Sequence, residues 1–480
     1  MGDLFGVGGS PHLKRLRDGL ITSIALSTLF VVVYGGTNWW TAQRPAAEVG
    51  TWFMDWELKL VPFVALLIVP YMSVDLFFFG AALLCESDEQ RRVFARRVVF
   101  AIAVATTFFV LMPLRLAWPA RPVIPGWFGQ FVEASCRAPL VMEFPHNLFP
   151  SLHVTLCTLL ADHYSRHTRG VMRRALQVWF FLIAISTWLT WQHHLVDLAG
   201  GLLLAAFAFH LFRESSEPAA VVPDYRIGAR YAGGAAALAL VVPWCLPWGV
   251  FLLWPAASLA LAAAGYWGLG PWVYHKSQGR LPLSSLVVMG PLVVGHYLSL
   301  LYYRRRSRPF DMVGPGVAAG RRLAPHEAEQ ALAQGVRSVL DLTAELPAAS
   351  PLRHLPYRNV PVLDLTSPTR EQLEESLAFI RQHVDQGVVL VHCKVGYSRT
   401  AAVVGAYLLA TGQADDAEEA LRKLQQARPG LIIRPETRSA LTVYHQHVVV
   451  GGGSGDGGGG GDDDGGGGGQ ILTDLLALEE

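Results

Sequence analysis

Residues 1–303 consist of long apolar runs separated by short polar segments. The runs cover residues 20–34, 62–84, 98–114, 152–160, 176–191, 198–212, 232–242, 249–267 and 283–303. A helix needs about 20 apolar residues to cross the hydrocarbon core of a bilayer, and several runs reach that length only with their flanks. Pro291 interrupts the last run near its middle, so we predict eight membrane spans followed by a re-entrant or interfacial ninth segment.

After residue 304 the pattern becomes that of an α/β domain. Residues 387–391 form a short apolar run typical of a buried strand, and residues 401–410 form an apolar run of helical length. Residues 449–469 are glycine interspersed with aspartate, which predicts a flexible tether because such a segment has no core to bury. Residues 470–480 are apolar and acidic, and are a candidate for a short helix that docks on the chain itself or on a partner.

Composition supports a membrane protein with one soluble domain. The chain is 52% hydrophobic and 16% charged, whereas soluble domains are about 25% charged. The first apolar run has no small-residue cleavage site after it, so we predict a retained anchor. A net charge of +1 gives no nucleic-acid-binding footprint, and the spacing of the five cysteines and the histidines indicates no metal site. We therefore predict neither a metal nor a cofactor.

Clusters of basic residues predict the orientation of the chain. Arginine and lysine concentrate within 14–17, 91–97 and 166–174, and such clusters favour the cytoplasmic side. Residues 116–147 and 193–197 then lie on the outer face. Basic residues also flank the ninth segment on both sides, at 276–280 and 304–308, which predicts a cytoplasmic C-terminal domain.

A cysteine and an arginine stand six positions apart between the predicted strand and helix. Cys393 follows the strand, and Arg399 precedes the helix. A helix N-terminus attracts phosphate and favours the thiolate, which is the nucleophilic form of cysteine. Arg399 offers a planar fork for two phosphoryl oxygens, and Thr400 is placed to assist the thiolate as a leaving group. The predicted phosphate-binding loop consists of Lys394, Val395, Gly396, Tyr397 and Ser398.

These residues resemble the Cys-x5-Arg signature of the dual-specificity branch of the protein tyrosine phosphatase family, over residues 304–448. The resemblance implies a phosphocysteine intermediate and a general acid, an aspartate on a loop about thirty residues upstream of the cysteine. Asp364 matches that pattern. Asp341 is the competing candidate, but it follows a strand-like run too closely to reach over the pocket.

A second group of catalytic residue types stands at the ends of the apolar runs. Ser151 and His153 open the fourth run, while His193 and Asp197 follow the fifth. Ionisable residues are costly in a membrane and mark functional sites. His193 could attack phosphorus, Asp197 could orient and polarise it one helical turn away, and His153 could protonate the departing oxygen.

This second group resembles the motifs of the type 2 phosphatidic acid phosphatase superfamily, over about residues 20–212. Thr187 stands where the superfamily has an arginine, and its upstream motif is reduced to Arg121 followed by proline, with Leu114 in the lysine position. Phosphate would therefore be held mainly by Arg121, with Arg115 and Ser151 as further phosphate-binding candidates. The residues of both motifs are more similar to those of the inositol phosphorylceramide synthase branch. This resemblance implies head-group transfer as an alternative to hydrolysis.

The sequence thus predicts a polytopic α-helical membrane domain fused to a cytoplasmic α/β phosphatase of the Cys-x5-Arg type. The predicted boundaries are 1–213 for the phosphatidic-acid-phosphatase-like domain, 214–303 for additional membrane segments, 304–448 for the phosphatase, 449–469 for the linker and 470–480 for the tail helix. The resemblances imply phospholipid or inositol phosphate substrates, and the charge of Lys394 suits a polyanionic head group. The alternative is a regulatory membrane protein that senses phosphorylated ligands and only binds lipid at its outer site.

Overall fold

The computed structural model describes residues 11–137, 146–214 and 221–452. The chain divides into two compact units. The first consists of Met1–Arg306, Thr343–Ala349 and Pro361–Asp364, and the second of Ser307–Leu342, Ser350–Val360 and Leu365–Glu480. The predicted tail helix at 470–480, and all of the glycine-rich linker beyond residue 452, lie outside the described residues.

The first unit is helical. Its helices, in chain order, are α1 (Pro11–Ala42), α2 (Glu57–Leu60), α3 (Ile68–Ala81), α4 (Asp88–Leu111), α5 (Gly126–Arg137), α6 (Leu152–His167), α7 (Gly170–Leu189), α8 (Leu195–Leu211), α9 (Tyr225–Val241), α10 (Leu253–Ala264), α11 (Leu283–Val288) and α12 (Gly290–Arg304). Within the described ranges, five helical stretches are long and apolar enough to cross a membrane: His12–Ala42, Ala65–Leu84, Asp88–Leu111, Tyr225–Cys245 and Trp248–Tyr274. Their length and composition are those of a membrane protein.

The other three predicted spans coincide with α6, α7 and α8. Helices α6 and α8 have 16 and 17 residues, so each is only about 25 Å long, against a hydrocarbon core of about 30 Å. The predicted interruption at Pro291 is confirmed: α11 ends at Val288 and α12 begins at Gly290, with proline in its first turn. Proline is tolerated there because the first amide groups of a helix have no partner within the helix.

The second unit is built around a five-stranded sheet. Its elements, in chain order, are β1 (Phe310–Gly314), β2 (Val317–Arg321), α13 (Pro325–Ala333), β3 (Val336–Thr343), β4 (Tyr357–Val362), α14 (Arg370–His383), β5 (Val388–Cys393), α15 (Ser398–Ala410), α16 (Ala417–Ala427) and α17 (Pro435–Gly452). Strands β3 and β4 end in the short segments that cluster with the first unit. The strand order is β1-β2-β5-β3-β4, with β5 parallel to both β2 and β3 and β1 antiparallel to β2.

Strand β5 and helix α15 position the predicted loop. The middle of β5 is wholly buried because a central parallel strand is covered on both faces, which explains its unbroken apolar sequence. The helix is buried along nearly its whole length and packs in the main core of the unit. It begins at Ser398, earlier than the apolar run at 401–410 predicts, so Arg399 and Thr400 lie in its first turn. The loop therefore opens at the carboxyl edge of the parallel strands, where α/β sheets bind ligands.

Candidate active site

The loop that follows β5 wraps around the sulfur of Cys393. Cys393 is the last residue of β5 and is 3% exposed. The backbone N–H of Gly396 donates to its Sγ at 3.2 Å. Gly396 has a φ of +78°, and a Cβ at this position would stand 2.6 Å from the carbonyl oxygen of Gly320, so only glycine fits. The loop thus presents a backbone hydrogen-bond donor to the sulfur that is predicted to be the nucleophile.

The first turn of α15 completes an anion-binding geometry. Tyr397 directly precedes the helix, so the loop meets α15 at its N-terminus, the end of a helix whose free backbone N–H groups bind a phosphoryl group. Arg399 is 3% exposed in this turn, and Lys394 is 6% exposed in the loop. Val395 is also buried, and the Ser398 hydroxyl donates to the carbonyl oxygen of Ile432 at 3.3 Å.

The Thr400 side chain makes a hydrogen bond to a neighbouring strand. Its hydroxyl donates to the carbonyl oxygen of Gly320 in β2 at 3.4 Å. The bond ties the first turn of α15 to the neighbouring strand. A direct role of Thr400 on the thiolate stays a prediction.

Arg428 stabilises the loop that follows β5 through a hydrogen bond, and the sequence analysis missed this residue. Its side chain is 3% exposed, and its Nε donates to the carbonyl oxygen of Gly396 at 3.2 Å. Its two terminal nitrogens bond the Asp311 carboxylate at 2.6 Å, the carbonyl oxygen of Ala319 at 3.4 Å and that of Arg308 at 2.9 Å. Burial lowers the pKa of Arg428, and the Asp311 carboxylate opposes that shift. The guanidinium therefore joins the loop to β1 and β2.

Replacing Arg428 by leucine is expected to destabilise the second unit by about 3 kcal/mol, because it removes the shorter of two ion pairs of the half-buried Asp311 carboxylate and leaves that carboxylate facing the exposed Arg308 at 3.3 Å. The temperature at which ester hydrolysis is half inactivated should fall by about 10 °C. The control is Arg422→Leu, which removes an exposed arginine from α16. Equal effects of the two substitutions on thermal inactivation would contradict this role of Arg428.

Asp341 lies inside the sheet, where it supports the strand that carries the nucleophile. It is fully buried in β3, and the Tyr357 hydroxyl donates to its Oδ2. Its carboxylate also lies 3.8 Å from Nε2 of His392, the residue before Cys393. Burial first, and then the charge of Asp341, raises the pKa of Tyr357, so this phenol stays protonated. A carboxylate enclosed in this way argues against Asp341 as the general acid.

Asp364 ends the segment Pro361–Asp364, which clusters with the first unit. Its carbonyl oxygen accepts a hydrogen bond from the Tyr266 hydroxyl at 2.7 Å, and its Oδ2 lies 4.0 Å from Nδ1 of His296. The next residue, Leu365, has a φ of +67°, which is strained for a side chain with a Cβ. The role of Asp364 as the general acid stays a prediction.

In the first unit, the structure brings together Arg121, His153, His193 and Asp197, here called the membrane-unit site. His193 Nδ1 lies 3.3 Å from Oδ2 of Asp197, and Asp197 is 1% exposed. His153 lies close enough to His193 for their charges to interact, and its ring stacks on Tyr71. Arg121 donates to the carbonyl oxygen of Trp191, two residues before His193, at 3.3 Å.

The remaining predicted residues of this unit have structural contacts. The Ser151 hydroxyl caps α6 by accepting the N–H of Val154 at 3.3 Å. Arg115 is exposed near His146, and its backbone N–H donates to Gly50, so its phosphate-binding role stays a prediction.

Glu57 is a buried carboxylate of this unit that the sequence analysis missed. It is 0% exposed, and its Oε1 accepts from Trp188 Nε1 at 2.9 Å and from the N–H of Leu195 at 2.8 Å. These bonds fix both ends of the turn that carries His193. In the sequence, the signal that could have indicated Glu57 is an acidic residue next to tryptophans typical of a membrane interface.

Comparison with known proteins identifies the C-terminal part of the chain. Residues 324–447 match the family model of the dual specificity phosphatase catalytic domain. Human phosphatidylglycerophosphatase and protein-tyrosine phosphatase 1 is 34% identical over 18% of this chain and 43% of its own length. Mouse dual specificity protein phosphatase 19 is 29% identical over 28% of this chain and 60% of its own length. A solved structure, Tk-PTP in the active form, is 28% identical over 29% of this chain and 97% of that chain, with a TM-score of 0.27.

The chain thus spans about half the length of these two curated relatives. The likeness of residues 1–213 to the type 2 phosphatidic acid phosphatase superfamily stays a prediction. The match, the position of Cys393 at the end of β5 and the glycine-supported loop agree on one chemistry. The C-terminal region is an α/β phosphatase domain, a phosphoric monoester hydrolase of the dual-specificity type.

Proposed function

We propose that this chain is a membrane-bound phosphatase that removes phosphate from phospholipids or inositol phosphates through a phosphocysteine intermediate. The observation that carries the proposal is the Cys393 sulfur in a loop at a helix N-terminus, with an amide N–H directed at it. The thiolate attacks phosphorus and the P–O ester bond breaks. Asp364 gives its proton to the leaving oxygen, and water then releases phosphate from sulfur.

Three observations support a lipid-borne substrate. The chain carries five helices long and apolar enough to hold it in a membrane, within the described ranges. A relative in the matched region is named for phosphatidylglycerophosphate hydrolysis as well as for protein tyrosine phosphatase activity. Lys394 adds positive charge beside the nucleophile. A phosphatase held at the bilayer surface meets lipid head groups at high effective concentration.

The test compares substrates on the purified full-length chain in mixed micelles. Phosphate release is measured from phosphatidylglycerophosphate, from a phosphoinositide and from a phosphotyrosine peptide. We expect kcat/KM for a lipid to exceed that for the peptide at least about tenfold, a difference of about 1.4 kcal/mol in transition-state binding. A preference for the peptide would contradict the substrate class. No turnover of any substrate would favour the regulatory sensor.

We propose a second reaction for the membrane-unit site, transfer of a phosphoryl-containing group through a phosphohistidine. Its support is a set of buried polar atoms without a hydrogen-bond partner in the described residues: Arg121 Nε, His153 Nε2, Gln192 Nε2 and Asp197 Oδ1. Buried polar groups are nearly always paired, so several of them near one histidine fit a binding site for a polar ligand.

The orientation of His193 supports its role as the nucleophile. Its Nδ1 faces Asp197, which leaves Nε2 to attack phosphorus while the carboxylate stabilises the charged ring. His153 would give a proton to the departing oxygen. Water would complete a hydrolysis, whereas an alcohol would complete a head-group transfer. Incubation with a radiolabelled lipid and with a second alcohol separates these outcomes by the product formed.

We also propose that the Cys393 domain faces the cytoplasm and the membrane-unit site the opposite side. A membrane-impermeant thiol reagent should leave Cys393 unmodified in intact cells and modify it after permeabilisation, as followed by mass spectrometry of its peptide. Cys136, predicted on the outer face, is the positive control, and Cys245→Ser removes a competing exposed thiol. Modification of Cys393 in intact cells would contradict the proposed topology.

A further inference from the structure

The general-acid segment is anchored to helical residues of the first unit. The Tyr266 hydroxyl donates to the carbonyl oxygen of Asp364 at 2.7 Å. Leu363, one residue earlier, is 4% exposed and packs in a core cluster that includes Tyr266, Tyr274 and Met289. The segment Pro361–Asp364 therefore has both a polar and an apolar attachment within this unit.

The anchoring tyrosine is itself held in place. Tyr266 lies in the segment Gly265–Leu269 that follows α10, in which Gly268 (φ +138°) breaks the helix, and it is 4% exposed. Its ring stacks on Tyr231 with centroids 5.4 Å apart and planes 11° from parallel.

The surroundings of the Asp364 side chain are also fixed. His296 Nδ1 lies 4.0 Å from its Oδ2, while His296 Nε2 is 3.3 Å from the Tyr274 hydroxyl. A parallel attachment holds the turn after β3, where Lys276 donates to the carbonyl oxygen and the hydroxyl of Thr343 at 2.9 and 2.6 Å. The segments Thr343–Ala349 and Pro361–Asp364 of this unit are therefore both held by residues between α10 and α12.

The backbone next to Asp364 is strained, so the hydrogen bond from Tyr266 affects the position of Asp364. Leu365 has a φ of +67°, and a conformation of that kind persists only where its surroundings hold it. The Asp364 carbonyl belongs to the peptide group that joins these two residues. The hydroxyl of Tyr266 therefore restrains the peptide whose rotation would move the Asp364 carboxyl.

We propose that Tyr266 is a positioning residue for the general acid Asp364, and that its hydrogen bond sets how efficiently Asp364 protonates the leaving group. The inference rests on the proposed function of Asp364. As the S–P bond forms and the P–O bond breaks, the proton moves from the Asp364 carboxyl to the ester oxygen. A carboxyl displaced by about 1 Å transfers that proton less efficiently, while attack by Cys393 is unaffected.

The test uses the full-length chain in detergent and two aryl phosphates that differ in leaving group. In Tyr266→Phe, kcat/KM for phenyl phosphate should fall about tenfold, and that for p-nitrophenyl phosphate less than about twofold, because the nitrophenolate needs little protonation. The substitution keeps the ring stack with Tyr231. Tyr225→Phe, which removes an exposed hydroxyl from the first turn of α9, is the control and should change neither value.

Asp364→Asn separates failure of this inference from failure of the proposed function. It should show a larger loss with the same leaving-group dependence, and adding Tyr266→Phe to it should cause no further loss. If Asp364→Asn shows the dependence and Tyr266→Phe does not, the anchoring role is wrong. An equal loss for both esters in Tyr266→Phe would also overturn it, since a merely structural role acts on both. If Asp364→Asn shows no dependence, Asp364 is not the acid.

Discussion

Cys393→Ser is expected to lower hydrolysis of a soluble phosphate ester by about four orders of magnitude or more, as removal of a nucleophile does in other covalent catalysts. A serine hydroxyl at the end of β5 has nearly the same volume as the thiol, but it is not ionised near neutral pH. The Gly396 N–H that now faces sulfur would still be present, so the loss would report the nucleophile and not the loop.

Arg399→Lys is expected to cost about 10²–10³-fold in kcat with the same substrate, because a lysine cannot replace the two-pronged contact of a guanidinium with phosphoryl oxygens. Arg422→Lys, on the exposed face of α16, is the matched control and should keep full activity. All variants should enter the membrane as the parent does, which fractionation and detergent-phase chromatography can check. Undiminished turnover in Cys393→Ser would remove the assignment of the nucleophile.

The strand, loop and helix around Cys393 could be predicted because they are continuous in sequence. An apolar run of strand length, a glycine-containing loop and an apolar run of helical length leave few alternatives. Besides a strand β5 that extends to Cys393, the structure differs at the start of the helix, where Ser398, Arg399 and Thr400 join the first turn. That difference strengthens the predicted geometry, because it puts Arg399 at the N-terminal end of the helix.

The residues that the sequence analysis missed act across long separations in the chain. Arg428 and Asp311 are 117 positions apart, and Glu57 and Leu195 are 138 apart. No periodicity or motif links such pairs, since their meeting depends on the tertiary fold. Asp341 shows the same limit: its spacing from the strand-like run argued against a general acid, but its contact with His392 could not be foreseen.

The positions of the apolar helices could be predicted from the apolar runs. Which of these helices are long enough to cross a membrane was harder to predict. Five helical stretches meet the length and hydropathy of a span within the described ranges. The runs at 152–160 and 198–212 form the shorter helices α6 and α8, and both begin beside catalytic residue types. Ser151 caps α6, and Asp197 lies in the first turn of α8. These polar residues occupy helix ends where a lipid-facing span would have apolar residues, so the apolar part of each helix is shorter.

The membrane-unit site yields the second large expected effect. His193→Ala is expected to abolish the lipid reaction proposed for this site, because it removes the nitrogen atom proposed to attack phosphorus. Asp197→Asn should lower it strongly, since an amide cannot stabilise the charged ring across the 3.3 Å contact. His153→Ala should remove the proton donor for the leaving oxygen, at a cost of about 10²–10⁴-fold.

His167→Ala is the control for these three substitutions, because His167 ends α6 at the opposite end from His153. Hydrolysis of p-nitrophenyl phosphate by the Cys393 domain should stay within about twofold of the parent in all four variants, since the two proposed sites share no residue and independent sites act additively. The measurement is conversion of a radiolabelled phospholipid, together with acid-labile phosphate trapped on the protein. If the three variants keep full lipid activity and no label is trapped on histidine, the membrane-unit site has only a structural role, and the Cys393 domain carries all of the chemistry.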